Sequence, residues 1–266
     1  MLGDRAFESG AAFEAEMLPD LSDLLLGIAD DFWRAEFTRS SSLWAEFVLD
    51  ERLRPEALLE TVRPYLGKPY LEIRAPVEAT DLARREQAFA ETYVEARQVW
   101  STSRAEIEGQ LMASPGLNRS SYGHRSIPGW LLAMDGYLRP QNASLAIFDK
   151  FSRFTARSLR AATKRGGETP SHAFFAACER LEDARNELRG GYQQHLGMLH
   201  ARLLEYCNRE LATRKRRRQV RSFDDLLLDV HAALAGAHGV ELAKGLRARY
   251  CAALIDGGWR AAGGTR

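Results

Sequence analysis

The chain has 266 residues, a formal net charge of +1, 45% hydrophobic and 27% charged residues, and three cysteines. A chain of this length and apolar content has enough side chains to bury one core or two small ones, which excludes a disordered polypeptide, and a near-neutral balance excludes a uniformly basic nucleic-acid binder while leaving room for a local patch. No apolar run approaches the roughly 18 residues that a membrane span requires, and the opening MLGDRAFESG lacks the apolar centre of a secretion signal, so no membrane association and a cytoplasmic location are expected. Cys178, Cys207 and Cys251 are far apart, form no CxxC pair and have no clustered histidines, so they are read as small buried hydrophobes rather than as a disulfide framework or a zinc site. The motifs Asn118-Arg-Ser and Asn142-Ala-Ser match the glycosylation pattern, a chance match in a chain that is not expected to be secreted.

In chain order, the segment 12–37 carries Phe13, Met17, Leu21, Leu24, Leu25, Ile28, Phe32 and Phe37 around Pro19-Asp20, and predicts a helical pair or a kinked helix. Trp33 and Trp44 are expected to pack rather than to form a ligand cage. Pro55, Pro64, Pro69 and Pro76 punctuate the next stretch, so 66–79 is a connector with room for one short strand at Tyr70 to Arg74. Thr80 or Asp81 then caps a long helix whose inner face is Leu82, Phe89, Tyr93, Trp100, Ile107 and Leu111. Ser114-Pro-Gly and the run from Asn118 to Gly129 predict a polar loop, and a further helix is expected over 144–162. No alternation of strands and helices that would build a parallel sheet is visible.

The junction TKRGGETPSHAFF, residues 163–175, ends one helix at Gly166-Gly167 and starts the next with Thr169 as cap and Pro170 in the first turn. Lys164 and Arg165 beside the glycine backbone are candidates for phosphate contact, although the pattern lacks GxxxxGK[ST] and a plain turn explains it better. Phe174, Cys178, Leu181 and Leu188 hold one stripe, and a last long helix is predicted from near Tyr192 to Arg218 with Leu196, Leu199, Leu203 and Tyr206 inward.

That helix runs into TRKRRRQVRSFDDLLLD, residues 213–229, where six cations, Arg214, Lys215, Arg216, Arg217, Arg218 and Arg221, occupy eight positions. At about 100° per residue, consecutive cations encircle a helix and cannot share one solvent face, so the helix must project or end there. The run is either a solvated helix terminus whose cations complement the dipole or a collar that binds phosphates. Ser222 and Asp225 have capping-box spacing, and Phe223, Leu226, Leu227, Val230 and Leu234 make the next helix amphipathic, so the charge run sits at a hinge between two helices. The six histidines, His124, His172, His195, His200, His231 and His238, lie in separate segments with no motif linking them to a nucleophile; His195 and His200 are five apart, not the four that stacks two metal ligands on a helix.

Five stretches together, RAFESGAAFEAEM, DDFWRAEF, TKRGGETPSHAFF, ATRKRRRQVRSFDDLLLDVHAAL and LRARYCAALID, resemble the RecB-type subunits of bacterial helicase-nucleases, members of the UvrD-like superfamily of DNA helicases. The resemblance covers residues 5–256 and implies the interval from just after motif Ia, through the helical insertion called domain 1B, back toward the Walker B strand. It implies an all-α chain with a 1B-like helical domain over 1–220, a partial motor segment over 221–256, and an unrelated tail, GGWRAAGGTR, over 257–266, as a frameshift or a shortened reading frame would leave. By the same resemblance Asp256 matches the magnesium-binding aspartate of Walker B, useful only in an intact motor, while Gly257 stands where the water-activating glutamate belongs. With no GxxxxGK[ST], no cofactor is expected for this chain and no catalysis by it alone, although the family uses ATP and magnesium for 3′ to 5′ unwinding coupled to DNA cleavage. DNA and RecC-like and RecD-like subunits are the partners implied. The segment 222–256, which packs on a motor sheet in the resembled fold, is expected to leave Leu226, Leu227 and Val230 poorly covered. An alternative reading from the residues alone is a helical protein-interaction module with a basic docking patch.

Overall fold

The computed structural model describes residues 16–38, 40–68, 71, 81–236 and 238–249. Its elements, in order, are β1 (Glu16–Met17), α1 (Ser22–Phe37), α2 (Ser42–Asp50), α3 (Pro55–Val62), α4 (Leu82–Ala113), α5 (Ile127–Tyr137), α6 (Ala156–Ala161), α7 (Ala173–Arg218), β2 (Val220–Arg221), α8 (Phe223–Ala235) and α9 (Gly239–Arg249). The all-α expectation is met, with two short strands as the additional feature among the described residues. By contacts the described residues form two compact units, one within 26–208 and one that joins 16–25 to 209–236 and 238–249. No single helix among the described residues is long and apolar enough to cross a membrane.

The 26–208 unit is organised by α4, which starts at Asp81, whose carboxylate accepts from the Arg84 amide at 3.0 Å. The stripe read from the sequence is its buried face: Phe89, Tyr93, Trp100, Ile107 and Leu111 are all buried, with Leu82 half-buried at the start. The Tyr93 hydroxyl donates toward the carbonyls of Tyr137 and Pro140, both at 2.9 Å, which pins α4 to the end of α5. A second cluster joins α2 to α7: the Trp44 ring lies 5.2 Å from Phe47, 5.1 Å from Tyr192 and 5.1 Å from His195. Trp33 stacks on Phe37 at 3.8 Å. Both tryptophans therefore pack as expected. Cys178 and Cys207 are buried thiols, and Cys251 lies outside the described residues.

Several boundaries differ from the sequence reading. Segment 12–37 holds a strand at Glu16–Met17 before its single helix, and Phe13 is outside the described residues, as are the proposed strand at Tyr70 to Arg74, apart from Leu71, and Thr80. The helix expected over 144–162 is a 3₁₀ turn at Phe151–Phe154 and the short α6. Side-chain oxygens take backbone amides at its start: Glu46 accepts from the Leu145 amide at 2.7 Å and Ser144 Oγ from the Ala146 amide at 3.2 Å, and regular helix begins only where Thr155 caps α6, accepting from the Ser158 amide at 3.2 Å. The 118–129 loop ends early, because Pro128 occupies the first turn of α5. Finally, α7 is one helix of 46 residues and starts at Ala173 rather than near Tyr192. His172, not Thr169, serves its start, its Nδ1 accepting from the Phe174 amide at 3.0 Å. Gly190-Gly191 does not break α7, because burial of Leu188 and Tyr192 on either side outweighs the roughly 1 kcal/mol that each helical glycine costs.

The glycines of the 163–175 junction have a packing role. Gly166 is left-handed, with φ +77°, but the pair does not end the preceding helix as expected, because α6 has already ended at Ala161 with Ala162 as its C-cap. A Cβ on Gly167 would come 2.9 Å from the Gly116 Cα, and one on Gly116 would come 2.2 Å from the Glu168 carbonyl. This close crossing is held by Lys164 N to Gly116 O at 2.8 Å and Asn118 N to Ala162 O at 2.9 Å. Gly116→Ala is expected to destabilise the unit by about 1–3 kcal/mol, as overpacking against backbone does, whereas Gly190→Ala, where a Cβ meets nothing within 4 Å, is expected to raise stability by up to about 1 kcal/mol. Thermal unfolding of the two variants checks the opposite signs.

Candidate nucleic-acid interface

The basic run lies where α7 ends, in the unit that joins 16–25 to the residues from 209 onward that the structure describes. Arg218 is the last helical residue, and Gln219 turns the chain with φ +54°, the left-handed conformation that terminates many helices but that usually falls to glycine. Its amide still reaches the Arg216 carbonyl at 3.2 Å. Val220–Arg221 then pairs in parallel with Glu16–Met17, in the register Glu16 with Val220 and Met17 with Arg221, with Glu16 N to Gln219 O at 3.0 Å and Leu18 N to Arg221 O at 2.8 Å on either side. Ser222 caps α8 and its capping box with Asp225 is formed, the Ser222 amide donating to Asp225 at 2.7 Å. Asp224 and Asp225 in the first turn of α8 and the cations in the last turn of α7 both complement their helix dipoles.

Within this corner the six cations divide into two sets. Lys215 is only 8% exposed; its amine donates to Ser222 Oγ at 2.8 Å and to both Asp225 oxygens at 2.9 and 2.8 Å. Burial alone would push the Asp225 carboxyl up, but the hydrogen bonds from Lys215 and the Ser222 backbone, with the charge of Lys215, hold it below its ordinary value. Arg221 Nη2 lies 2.8 Å from Asp229 Oδ2, and Arg214 Nε lies 3.9 Å from Glu210 Oε2 one turn earlier on α7. Three carboxylates thus face three of the cations. Arg216, Arg217 and Arg218 are exposed and carry no ion pair among the described residues. Spaced about 100° apart, they fan around the helix end.

The other candidates are placed elsewhere. Lys164 is exposed, and its amine donates to the Pro115 carbonyl at 3.2 Å; Arg165 is exposed on the same turn. Asp256 and Gly257 lie outside the described residues. Burial pushes His195 down toward its neutral form, helped by Arg202, and burial does the same to His200. Tyr122, buried and donating to the Arg153 carbonyl at 2.8 Å, is pushed up to about 12. Among the described residues no group of three His, Cys, Asp or Glu side chains is placed to hold a metal ion. Along α8, Leu227 is 71% exposed while Leu226 and Val230 are half-buried, so of the three residues that the resemblance leaves poorly covered only Leu227 is fully exposed. The inward anchoring of Lys215 is what the sequence did not reveal. The Ser222-x-x-Asp225 spacing was its available signal, since a capping carboxylate near a lysine seven to ten positions earlier offers it a partner.

Fold and surface together define the class: an all-α chain with an arginine-fanned helix terminus. No family model matches it. The particular likeness is to RecB. The chain is 29% identical over 257 residues to the RecBCD enzyme subunit RecB of Escherichia coli (strain K12), an alignment that covers 96% of this chain and 21% of that protein. It is 27% identical over 282 aligned positions to the RecBCD enzyme subunit RecB of Haemophilus influenzae, with 96% of this chain and 23% of that protein covered. The chain spans about a fifth of the length of these relatives.

Proposed function

We propose that the chain is part of a RecB-type, ATP-dependent DNA helicase and exonuclease subunit that acts in double-strand-break repair and recombination, and that its own contribution is to hold DNA backbone at the α7–β2–α8 corner. The observation that carries this reading is the fan of Arg216, Arg217 and Arg218, exposed and unmatched beside three cations that do have carboxylate partners. Cations left unpaired at a surface retain their full attraction for phosphate, and releasing the counterions of the DNA supplies the free energy of binding. Arginines on phosphate position a protein without reading bases, so the binding is indifferent to sequence. ATP and magnesium act, on this reading, in parts of the subunit outside this chain, which is not catalytic alone, and RecC-like and RecD-like subunits complete the assembly.

A salt series with a fluorescently labelled duplex tests it. With three phosphate contacts the slope of log affinity against log salt is expected near −2.7, at about −0.9 per phosphate, and with all six cations engaged it would approach about −5. A chain that shows no binding at low salt, or a slope near zero, ends the reading.

A further inference from the structure

A second gathering of arginines lies in the 26–208 unit, along an open groove of about 620 Å³ between α4 and α5. Arg97 and Arg104 enter it from α4, and Arg139 from just beyond the end of α5. Arg104 is already matched, 3.1 Å from Asp135 and 2.8 Å from Glu108, with its guanidinium 6.0 Å from the centre of the Trp100 ring. Asp135 is held a second time by the Trp100 indole N–H at 2.9 Å. Arg97 is fixed differently: its Nε donates to the Leu138 carbonyl at 3.2 Å, which orients the guanidinium without neutralising it. Arg139 is exposed, and neither Arg97 nor Arg139 has an ion pair among the described residues. The groove therefore presents two unmatched positive charges, one from each wall.

Apolar surface accompanies those charges. Val94, which lines the groove, is 52% exposed, and Leu132, one helical turn before Asp135 on α5, is 69% exposed. Leu132 and Asp135 are spaced i, i+3, so they share one face of α5, and Arg139 follows two residues beyond the helix end. We propose that this groove docks an acidic amphipathic segment of a partner protein, one that places carboxylates on Arg97 and Arg139 and aliphatic side chains against Val94 and Leu132. Charge complementarity selects an acidic ligand, and the apolar rims select protein over nucleic acid. A duplex backbone would use the two arginines and leave the exposed Val94 and Leu132 side chains uncovered. Arginine and tryptophan without lysine is also the composition typical of protein contact centres. This proposal is independent of the DNA reading, because none of its residues belongs to the basic corner.

The test uses the 266-residue chain and a fluorescein-labelled synthetic helical peptide that carries leucine and glutamate at i, i+4 spacing, followed by anisotropy. Saturable binding is expected, weakened at least tenfold by Arg139→Glu and by Ser101→Trp, which fills the groove from an exposed position. The combined Arg216→Glu, Arg217→Glu, Arg218→Glu variant is expected to bind the peptide as the wild type does. Circular dichroism of each variant shows that it is folded, and since both groove substitutions are at exposed positions, at least one of them reports on the groove alone. The proposal is overturned if the wild type ignores the peptide, if folded groove variants bind it unchanged, or if a labelled DNA duplex loses its binding when Arg139 is reversed.

Discussion

Replacing Arg216, Arg217 and Arg218 together with glutamate is expected to reduce duplex binding more than a hundredfold while leaving the helix content intact. Non-specific binding of duplex DNA has a Kd of roughly 10⁻⁴ to 10⁻⁶ M, or about 5.5 to 8 kcal/mol. A close charge pair in water is worth about 1 kcal/mol, and reversing its sign removes that attraction and adds a comparable repulsion. Three reversals therefore remove most of the available binding energy. The fold should tolerate them, because the three side chains are exposed and lie outside the buried positions Leu199, Leu203 and Cys207 of α7. The expected structural cost is smaller: anions at a helix C-terminus oppose the dipole by about 0.3–1 kcal/mol each, which lowers the melting temperature without abolishing the helix. Anisotropy with a labelled duplex and circular dichroism of the same sample measure both effects. Reversing Arg221 or Arg214 singly is expected to matter less for DNA, since Asp229 and Glu210 already face them. A triple variant that binds duplex like the wild type would show that the fan is only a solvated helix end.

Where local signals coincide with burial, the fold was legible. The α4 stripe needed no tertiary information, because Phe89, Tyr93, Trp100, Ile107 and Leu111 repeat with helical period and Asp81 supplies a cap. The capping box of α8 was equally local, as was the left-handed Gly166. What stayed hidden depends on partners far away in sequence. The pairing of Glu16–Met17 with Val220–Arg221 joins residues some two hundred positions apart, and two-residue strands carry no alternation that could announce them. The last helix was expected from near Tyr192, whereas α7 starts at Ala173 and runs unbroken through Gly190-Gly191, where the burial of Leu188 and Tyr192 offsets the local cost of glycine. The 144–162 segment has helical spacing but also Ser144 and Thr155, whose hydroxyls found partners in Glu46 and the Ser158 amide. The likeness to RecB was readable from ordered short stretches, and the alignments extend it over 96% of the chain.

The same limit explains the basic corner. Charge, spacing and the coming turn were visible in the sequence, but the division of six cations into three matched and three unmatched depends on where Glu210, Asp225 and Asp229 end up. Periodicity alone treats Lys215 and Arg216 as equivalent neighbours. In the structure one side chain is buried among polar partners and the other meets solvent, so a change at each is expected to affect a different property.

Lys215→Met is expected to cost stability rather than DNA affinity. Methionine keeps the aliphatic stem but removes the amine, which leaves Ser222 Oγ and both Asp225 oxygens without their shared donor. Hydrogen bonds to charged groups contribute about 1.5–3 kcal/mol, and an unpaired, partly buried carboxylate adds a desolvation cost, so a loss of about 2–3 kcal/mol near neutral pH is expected. The pH dependence derives from Asp225, whose carboxyl is held below its ordinary value in the folded chain. A depressed carboxyl contributes stability that is fully present above its unfolded value of about 3.9 and is lost as pH falls through the lower folded value. In Lys215→Met the burial that raises the carboxyl persists while the Lys215 contribution is gone, so the stability that acid removes from the wild type at Asp225 is already missing from the variant. The gap between wild type and variant is therefore widest above about pH 5 and narrows on acidification. Denaturant unfolding followed by circular dichroism at a series of pH values, with amide exchange across 216–236 to localise the change, gives the comparison. Equal stability of the two proteins from neutral pH down to acid would mean that Lys215 is an ordinary solvated cation, and the corner would then have to be held by the β1–β2 pairing and the capping box alone.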